Sequence, residues 1–273
     1  MYNLDDLLYL MDRLRDPKDG CSWDLKQNLT SINHSTIEEA YELVDALQLA
    51  QAEKGLPDQQ VQEELGDVLF QVIFYCQLAK ESSCFAWEDV VNSLTQKLVR
   101  RHPHVFPHGN LKARVAAQEQ SSDKIKVEWE VIKQLERSEK KQLGLFDDIP
   151  RALPALMRAQ KIQKRASQQG FDWPNALSAL TKVEEELAEL RHAIEFESES
   201  RAADELADLL FSCVNVSRHL HIDAELTLER ANAKFQRRFN FIEQQLNKKG
   251  STLDQASLAQ MDDLWDQAKQ SGL

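Results

Sequence analysis

A chain of 273 residues with a net charge of −12 has room for two ordinary domains, and its acidity excludes a general affinity for nucleic acids or anionic membranes, which require a basic surface. Apolar residues make up 42% of the chain and charged residues 29%, which excludes the apolar-poor composition of disordered proteins. Only 8 glycines and 7 prolines interrupt long stretches rich in Glu, Leu, Ala, Gln and Lys, so the composition predicts an all-α fold.

The amino-terminal segment, residues 1–15, has its acidic residues before its basic ones and lacks the basic head of a secretory signal. The most apolar run, residues 68–76, falls well short of the roughly 20 residues that span a bilayer. The 4 cysteines form no CxxC pair, and we interpret them as reduced thiols. These features predict a cytoplasmic protein without a membrane-spanning helix.

The first half contains two acidic segments with helical signals. Residues 35–38 (STIE) have the form of a capping box and lead into an EExxE motif. Further along, the ExxD motif of Glu64 and Asp67 leads into a segment that is apolar almost all round, as expected of a helix at the centre of a bundle. Both motifs are therefore predicted to lie on helices.

Two irregular stretches follow. Residues 103–123 carry little apolar periodicity, which predicts a loop, and the clustered histidines at its start lack the spacing of a zinc site. Residues 136–150 are charged and then punctuated by Gly and Pro, which is typical of a linker. We predict a domain boundary near Gly144, with one unit over residues 1–143 and a second over residues 144–273.

The second half repeats the motifs of the first in the same order, which predicts a tandem repeat of one helical unit. The paired blocks are residues 20–23 with 170–173, 38–43 with 185–190, 64–70 with 205–211, 97–101 with 234–238, and 129–134 with 265–270. Chance similarity would not keep five blocks in register.

Each unit places four carboxylates on two helices. Residues i and i+3 share a helix face, so Glu186 and Glu189 can point together, as can Glu205 and Asp208. If these faces pack against each other, the carboxylates repel one another unless a cation or protons neutralise them. An all-oxygen ligand set favours Mg²⁺, Mn²⁺ or Ca²⁺ over Zn²⁺, and Mg²⁺ commonly takes further ligands from phosphate oxygens. The motif pair therefore predicts a divalent metal site that acts on a phosphate ester.

A basic cluster follows in each unit. Lys234 and Arg237 share a helix face, with Arg238 adjacent, and planar Arg side chains suit phosphate oxygens. A cluster of this kind on its own is more often a solvated basic turn. Its recurrence at matching places in both units is what favours a role in phosphate binding. Trp173 and Trp265 could stack on a base, although a single tryptophan more often packs in a core.

The combination of EExxE, ExxD, KxxRR and a terminal tryptophan in both halves resembles the MazG family of all-α nucleoside triphosphate pyrophosphohydrolases. The resemblance implies two MazG-like helical bundles in tandem, a homodimer, dependence on Mg²⁺ with Mn²⁺ as a substitute, and hydrolysis of ribo- or deoxynucleoside triphosphates to monophosphate and pyrophosphate. It implies metal ligands and nucleotide-binding residues in the second unit: Glu186, Glu189, Glu205 and Asp208 for the metal, and Lys182, Lys234, Arg237, Arg238 and Trp265 for the nucleotide. The equivalent carboxylates of the first unit form a candidate second metal site: Glu39, Glu42, Glu64 and Asp67.

The mechanism that follows has a carboxylate-held water attacking the α-phosphorus while pyrophosphate leaves on the cationic cluster. Glu185 heads its motif without an assignment to the metal and is the candidate general base, although a surface ion-pair partner fits it equally well. The second unit is predicted to do most of the catalysis, because Ser35 and Thr95 stand in the first unit where the second has Lys182 and Asn232. The first unit is therefore predicted to be less active, structural or regulatory.

Two other classes stay open at this point. A di-iron carboxylate bundle would need ExxH motifs on two helices, and only Glu189 with His192 fits. A nucleotide-sensing or helical partner-binding module without turnover could use the same helices. The preferred base and sugar and any regulatory protein partners also stay open.

Overall fold

The computed structural model describes residues 1–53, 58–114, 125, 129, 131, 132, 135, 136 and 144–273, and the regular elements in these ranges are all helical. The all-α prediction is therefore confirmed. The contacts between Cα atoms divide the chain into two compact units, Met1–Ile132 and Lys133–Leu273. The boundary predicted near Gly144 stays a prediction, because the residues directly before it lie outside the described ranges.

The first unit is built around one central helix. Its described helices are α1 (Leu4–Leu14), α2 (Asn33–Glu53), α3 (Gln59–Glu81) and α4 (Trp87–Arg101). Helix α3 contacts each of the other three, which explains why its sequence is apolar almost all round. The core joins Met11 of α1 and Ile32 to Ile73, Phe74 and Leu78 of α3.

The start of α2 differs from the predicted capping box. The helix begins at Asn33, so Ser35 lies inside its first turn. The reason is a local turn just before it, in which the backbone N–H of Ser31 donates to Asn28 Oδ1 and the N–H of Asn28 donates to Ser31 Oγ. Helical hydrogen bonding then starts early, with Thr36 N–H donating to the carbonyl of Ile32.

The glycine that opens the repeated GxxW segment is required for a different reason in each unit. A Cβ at Gly20 would stand 2.5 Å from the carbonyl oxygens of both Leu14 and Asp16, so no larger residue fits there. Gly170 instead has a φ of +83°, a backbone conformation that L side chains rarely adopt. The same motif position therefore requires glycine for lack of space in the first unit and for its positive φ in the second.

The second unit contains α5 (Ala155–Ser167), α6 (Ala176–Phe196), α7 (Glu199–His219), α8 (Ala224–Lys248) and α9 (Leu258–Gln270). Helices α6 and α7 are close neighbours along their length, α5 packs on both α7 and α8, and α8 packs on α9. A core of Ile242 and Leu246 from α8 and Leu264 from α9 holds these two helices together.

Helices α6 and α7 form a tight hairpin, because only Glu197 and Ser198 separate them. Ser198 caps α7 by accepting from the N–H of Arg201, so the connection has no slack. At the other end, Asn175 caps α6 by accepting from Ser178 N–H. Pro174 therefore precedes the cap and does not lie in the first helical turn.

The predicted loop at residues 103–123 is described only as far as residue 114, where it forms turns and a short 3-10 segment at Pro107–Gly109. The remainder of that prediction lies outside the described residues. All four cysteines are free. No helix in the described ranges is both long enough and apolar enough to cross a membrane, and the cytoplasmic location stays a prediction.

Candidate metal and nucleotide site

The α6–α7 hairpin brings three of the four predicted carboxylates of the second unit together. Oxygen atoms of Glu186, Glu205 and Asp208 all lie within 4.8 Å of one another. Glu186 and Glu205 are buried, with 5% and 6% of their surface exposed, whereas Asp208 is exposed. Glu189, the predicted fourth ligand, is exposed and stands outside this group.

The electrostatics of this group favour an added positive charge. Burial raises the pKa of Glu205, the cation of Arg201 opposes the rise, and the charges of Glu189, Glu186 and Asp208 add to it. Glu189 therefore acts electrostatically on the group that it does not join. The three carboxylates repel one another, and a divalent cation that prefers oxygen ligands, such as Mg²⁺ or Mn²⁺, would offset this repulsion. The chemistry of the group therefore fits such a cation.

Each buried carboxylate also has a cationic partner within the chain. Lys182 Nζ lies 2.7 Å from Glu186 Oε1 and 2.7 Å from Glu185 Oε1, and the hydrogen bond to Glu185 is the main cause of a raised Lys182 pKa. Arg201 donates to Glu205. The sequence reasoning missed Arg201, although its spacing of four residues ahead of Glu205 on a helix was a usable signal.

Glu185, the candidate general base, is exposed and ion-paired with Lys182. It lies outside the three-carboxylate group. The geometry is compatible with both of its proposed roles, so the assignment stays a prediction.

A basic cluster on α8, which consists of Lys234, Arg237 and Arg238, lies near the carboxyl terminus. Lys234 and Arg237 are exposed and have no ion pair among the described residues. Arg238 donates from Nε to the carbonyl oxygen of Leu273, and its Cζ lies 5.4 Å from the ring centroid of Trp265. The structure thus joins Arg238 to Trp265.

A cavity of about 640 Å³ lies beside the carboxylates in the second unit. Lys182, Glu186 and Asp208 line it, whereas the α8 basic cluster and Trp265 do not. Aromatic and aliphatic side chains form much of its wall: Phe146, Ile162, Phe171, Trp173 and Phe211. Trp173, a predicted stacking candidate, therefore lies where a base could reach it, and this volume is within the range of small-molecule sites.

The first unit repeats the carboxylate group without its cations. Oxygen atoms of Glu39, Glu64 and Asp67 lie within 4.8 Å of one another, and Glu42 stands outside the group. Ser35 and Gln60 occupy the positions that Lys182 and Arg201 hold in the second unit. Burial raises the pKa of Glu39 and of Glu64, and neighbouring carboxylates raise both further.

These raised pKa values predict a pH-dependent gain in stability for the double variant Glu39→Gln, Glu64→Gln. A carboxyl group whose pKa is raised by folding stabilises the fold below its ordinary pKa, and this contribution is lost as the pH rises through the folded value. In the presence of a chelator, we expect the variant to melt at a higher temperature than the wild type at pH 8 and at a similar temperature at pH 4. Exposed Glu243→Gln is the control, and an equal gain at both pH values would contradict the argument.

In a comparison with known protein families, the family model of the MazG nucleotide pyrophosphohydrolase domain matches residues 27–106 and 175–241. One of these segments lies in each unit. A protein of Escherichia coli (strain K12) named nucleoside triphosphate pyrophosphohydrolase is 42% identical over 273 residues, which cover 98% of each chain. A Thermotoga maritima protein named nucleoside triphosphate pyrophosphohydrolase/pyrophosphatase MazG is 40% identical over 268 residues, covering 97% of this chain and 95% of that one. Because the family model matches both units and these relatives align over nearly the whole chain, the resemblance drawn from the motifs is confirmed, and the chain belongs to the MazG nucleotide pyrophosphohydrolase family.

Proposed function

We propose that this protein is a Mg²⁺-dependent nucleoside triphosphate pyrophosphohydrolase that acts mainly through its second unit. The observation that carries the proposal is the group of three carboxylates on the α6–α7 hairpin, which opens onto the 640 Å³ cavity. The names of the Escherichia coli and Thermotoga maritima relatives support the reaction.

Glu186, Glu205 and Asp208 would hold the metal ion, and the charge of Glu189, which acts on Glu205, would add to the attraction for a cation. A bound Mg²⁺ or Mn²⁺ supplies charge neutralisation and polarisation of the phosphate oxygens. Lys182 pairs with Glu186, and Arg201 pairs with Glu205. A metal ion bound to these carboxylates would replace the two side chains as the neutralising charge, and both would then be available to phosphate oxygens.

The proposed reaction is a displacement at the α-phosphorus. A water oxygen bonds to the α-phosphorus, the bond from that phosphorus to the bridging oxygen of the β-phosphate breaks, and Glu185 accepts the proton of the water. The products are a nucleoside monophosphate and pyrophosphate. Lys234, Arg237 and Arg238 stand outside the cavity wall and are assigned to the leaving pyrophosphate from the resemblance of their motif, with Trp265 beside Arg238.

The products test the proposal directly. We expect a panel of ribo- and deoxynucleoside triphosphates, digested with Mg²⁺ and separated by chromatography, to yield monophosphate and pyrophosphate. Diphosphate and orthophosphate would contradict the proposed point of attack. Binding of nucleotides without turnover would favour a nucleotide-sensing module instead.

We also propose that the protein is a homodimer. Helices α6 and α7 expose several large apolar side chains, of which Ile194 is 68% exposed and Leu210 is 51% exposed. Apolar patches of this kind commonly mark protein–protein contacts.

Substitution on this surface is expected to dissociate the dimer. Leu206 and Leu210 are exposed on one face of α7, so Leu206→Lys with Leu210→Lys places two charges in the proposed interface. Light scattering should give twice the 31.4 kDa chain mass for the wild type and the chain mass itself for the variant. Leu258→Lys, at an exposed leucine on α9, is the control and should remain dimeric.

A further inference from the structure

The cavity beside the carboxylates has a polar part that the proposed chemistry does not use. Gln163 of α5 and Asn215 and Arg218 of α7 line it, together with Asp172 of the GFDW segment. These residues share a volume with Glu186 and Asp208 but are not among those assigned above to the metal or the phosphates.

The amide of Asn215 is held in one orientation. Arg218 donates to Asn215 Oδ1 twice, from Nε at 3.1 Å and from Nη2 at 2.8 Å. A guanidinium group can only donate, so the amide oxygen must face it and the amide nitrogen must face away. Nδ2 then carries two N–H donors, and it has no hydrogen-bond partner among the described residues.

Arg218 is itself fixed. It donates to Asp172 Oδ1, which also accepts from the backbone N–H of Trp173 at 2.8 Å. The orientation of Asn215 is therefore tied to the segment that carries Trp173, one of the aromatic side chains of the cavity wall.

A second amide shows that the wall contains an unsatisfied acceptor. Gln163 is 6% exposed, and its Nε2 donates to the carbonyl oxygen of Phe211 at 2.7 Å. Because a carbonyl can only accept, Gln163 Oε1 is left as the free atom, and it has no partner among the described residues. A buried acceptor without a partner is unfavourable, and a ligand that supplies a donor removes that cost.

We propose that this cavity holds the nucleoside of the substrate and that Asn215 selects the base by donating from Nδ2 to the carbonyl oxygen at C6 of a purine or at C4 of a pyrimidine. Phe211 and Trp173 supply the flat apolar surfaces on which a base can stack. The inference rests on the proposed function, since it places the triphosphate at Glu186 and Asp208 in the same cavity.

The selection follows from the fixed amide. Guanine and hypoxanthine carry an oxygen at C6, and uracil and thymine carry one at C4, and each of these oxygens accepts this donor. Adenine and cytosine carry an amino group at the corresponding position, which would meet Nδ2 donor to donor. Since Arg218 prevents the amide from turning over, the site cannot adapt to the amino group.

The test is the variant Asn215→Asp, which keeps the size of the side chain and the acceptor for Arg218 but replaces the free donor with an acceptor. The ratio of kcat/KM is measured for two matched pairs, ITP against ATP and dUTP against dCTP. We expect the wild type to favour the oxo member of at least one pair by about tenfold, and the variant to lower that ratio by about tenfold or more. Asn247→Asp adds the same charge at an exposed position of α8 and should leave both ratios unchanged.

Unchanged ratios in Asn215→Asp would overturn the inference, and so would a wild type that does not distinguish the members of either pair. In both cases pyrophosphate release by the wild type would leave the proposed function standing, whereas its absence would count against that function. If the variant lacks turnover, calorimetric titration with α,β-methylene analogues of ITP and ATP makes the same comparison. A selective loss of affinity for the ITP analogue supports the inference, and equal losses for both analogues contradict it.

Discussion

Replacing Glu186 and Glu189 together by alanine is expected to lower kcat/KM for nucleoside triphosphates by about a thousandfold or more at saturating Mg²⁺. Glu186 is buried beside Lys182 and the carboxylates of α7, so its removal would take away one of the three proposed metal ligands and leave only Glu205 and Asp208. Removal of Glu189 takes away a further negative charge that acts on Glu205. Steady-state kinetics measure the loss, and Mn²⁺ titration followed by electron paramagnetic resonance measures the weaker metal binding.

The matched control is the same pair of changes in the first unit, Glu39→Ala with Glu42→Ala. We expect this variant to retain substantial activity, because the first unit has Ser35 and Gln60 where the second has two cations. Circular dichroism should show native helicity for both double variants. Equal losses of activity would show that the first unit contributes as much catalysis as the second.

Phe74→Ala is expected to lower the free energy of unfolding of the first unit by about 3–5 kcal/mol. Phe74 is 1% exposed, belongs to the core cluster with Met11 and Ile73, and packs edge-on against Phe70 with ring centroids 5.8 Å apart. Truncation removes these contacts and leaves a cavity at the centre of α3, which the surrounding helices can fill only in part. Urea unfolding followed by far-ultraviolet circular dichroism measures the change.

The control for this change lies on the same helix. Val72→Ala alters a side chain that is 40% exposed, so it is expected to cost less than about 1 kcal/mol. A similar small cost for Phe74→Ala would mean that the core of the first unit does not depend on α3.

The sequence was sufficient for the fold class and for most of the carboxylate site because both depend on local spacing that occurs twice. The ExxD motif places Glu205 and Asp208 together, and the structure agrees. The EExxE motif predicted the same for Glu186 and Glu189, but only Glu186 is buried against α7, whereas Glu189 is exposed and stands outside the group. Which of the two carboxylates joins the group depends on how α6 packs on α7, and the spacing of the motif does not determine that packing.

Features that depend on distant contacts were beyond the sequence. Asn215 acquires its fixed orientation from Arg218, which is fixed in turn by Asp172, 46 residues away along the chain. No spacing rule connects these positions. The early start of α2 was missed for a more local reason, because the reciprocal hydrogen bonds of Asn28 and Ser31 competed with a plausible capping box downstream.

The two-residue connection between α6 and α7 also limits which changes in chain length the second unit can accept. One residue inserted in α7 before Glu205 would turn everything that follows by about 100° and shift it by about 1.5 Å along the helix axis. Glu205 and Asp208 would then face away from Glu186, and a connection as short as Glu197 and Ser198 has no spare length to restore the register. Substitutions on the outer faces of the hairpin can therefore accumulate during evolution, while single-residue insertions and deletions inside its helices, between the carboxylates and the connection, are expected to be eliminated by selection.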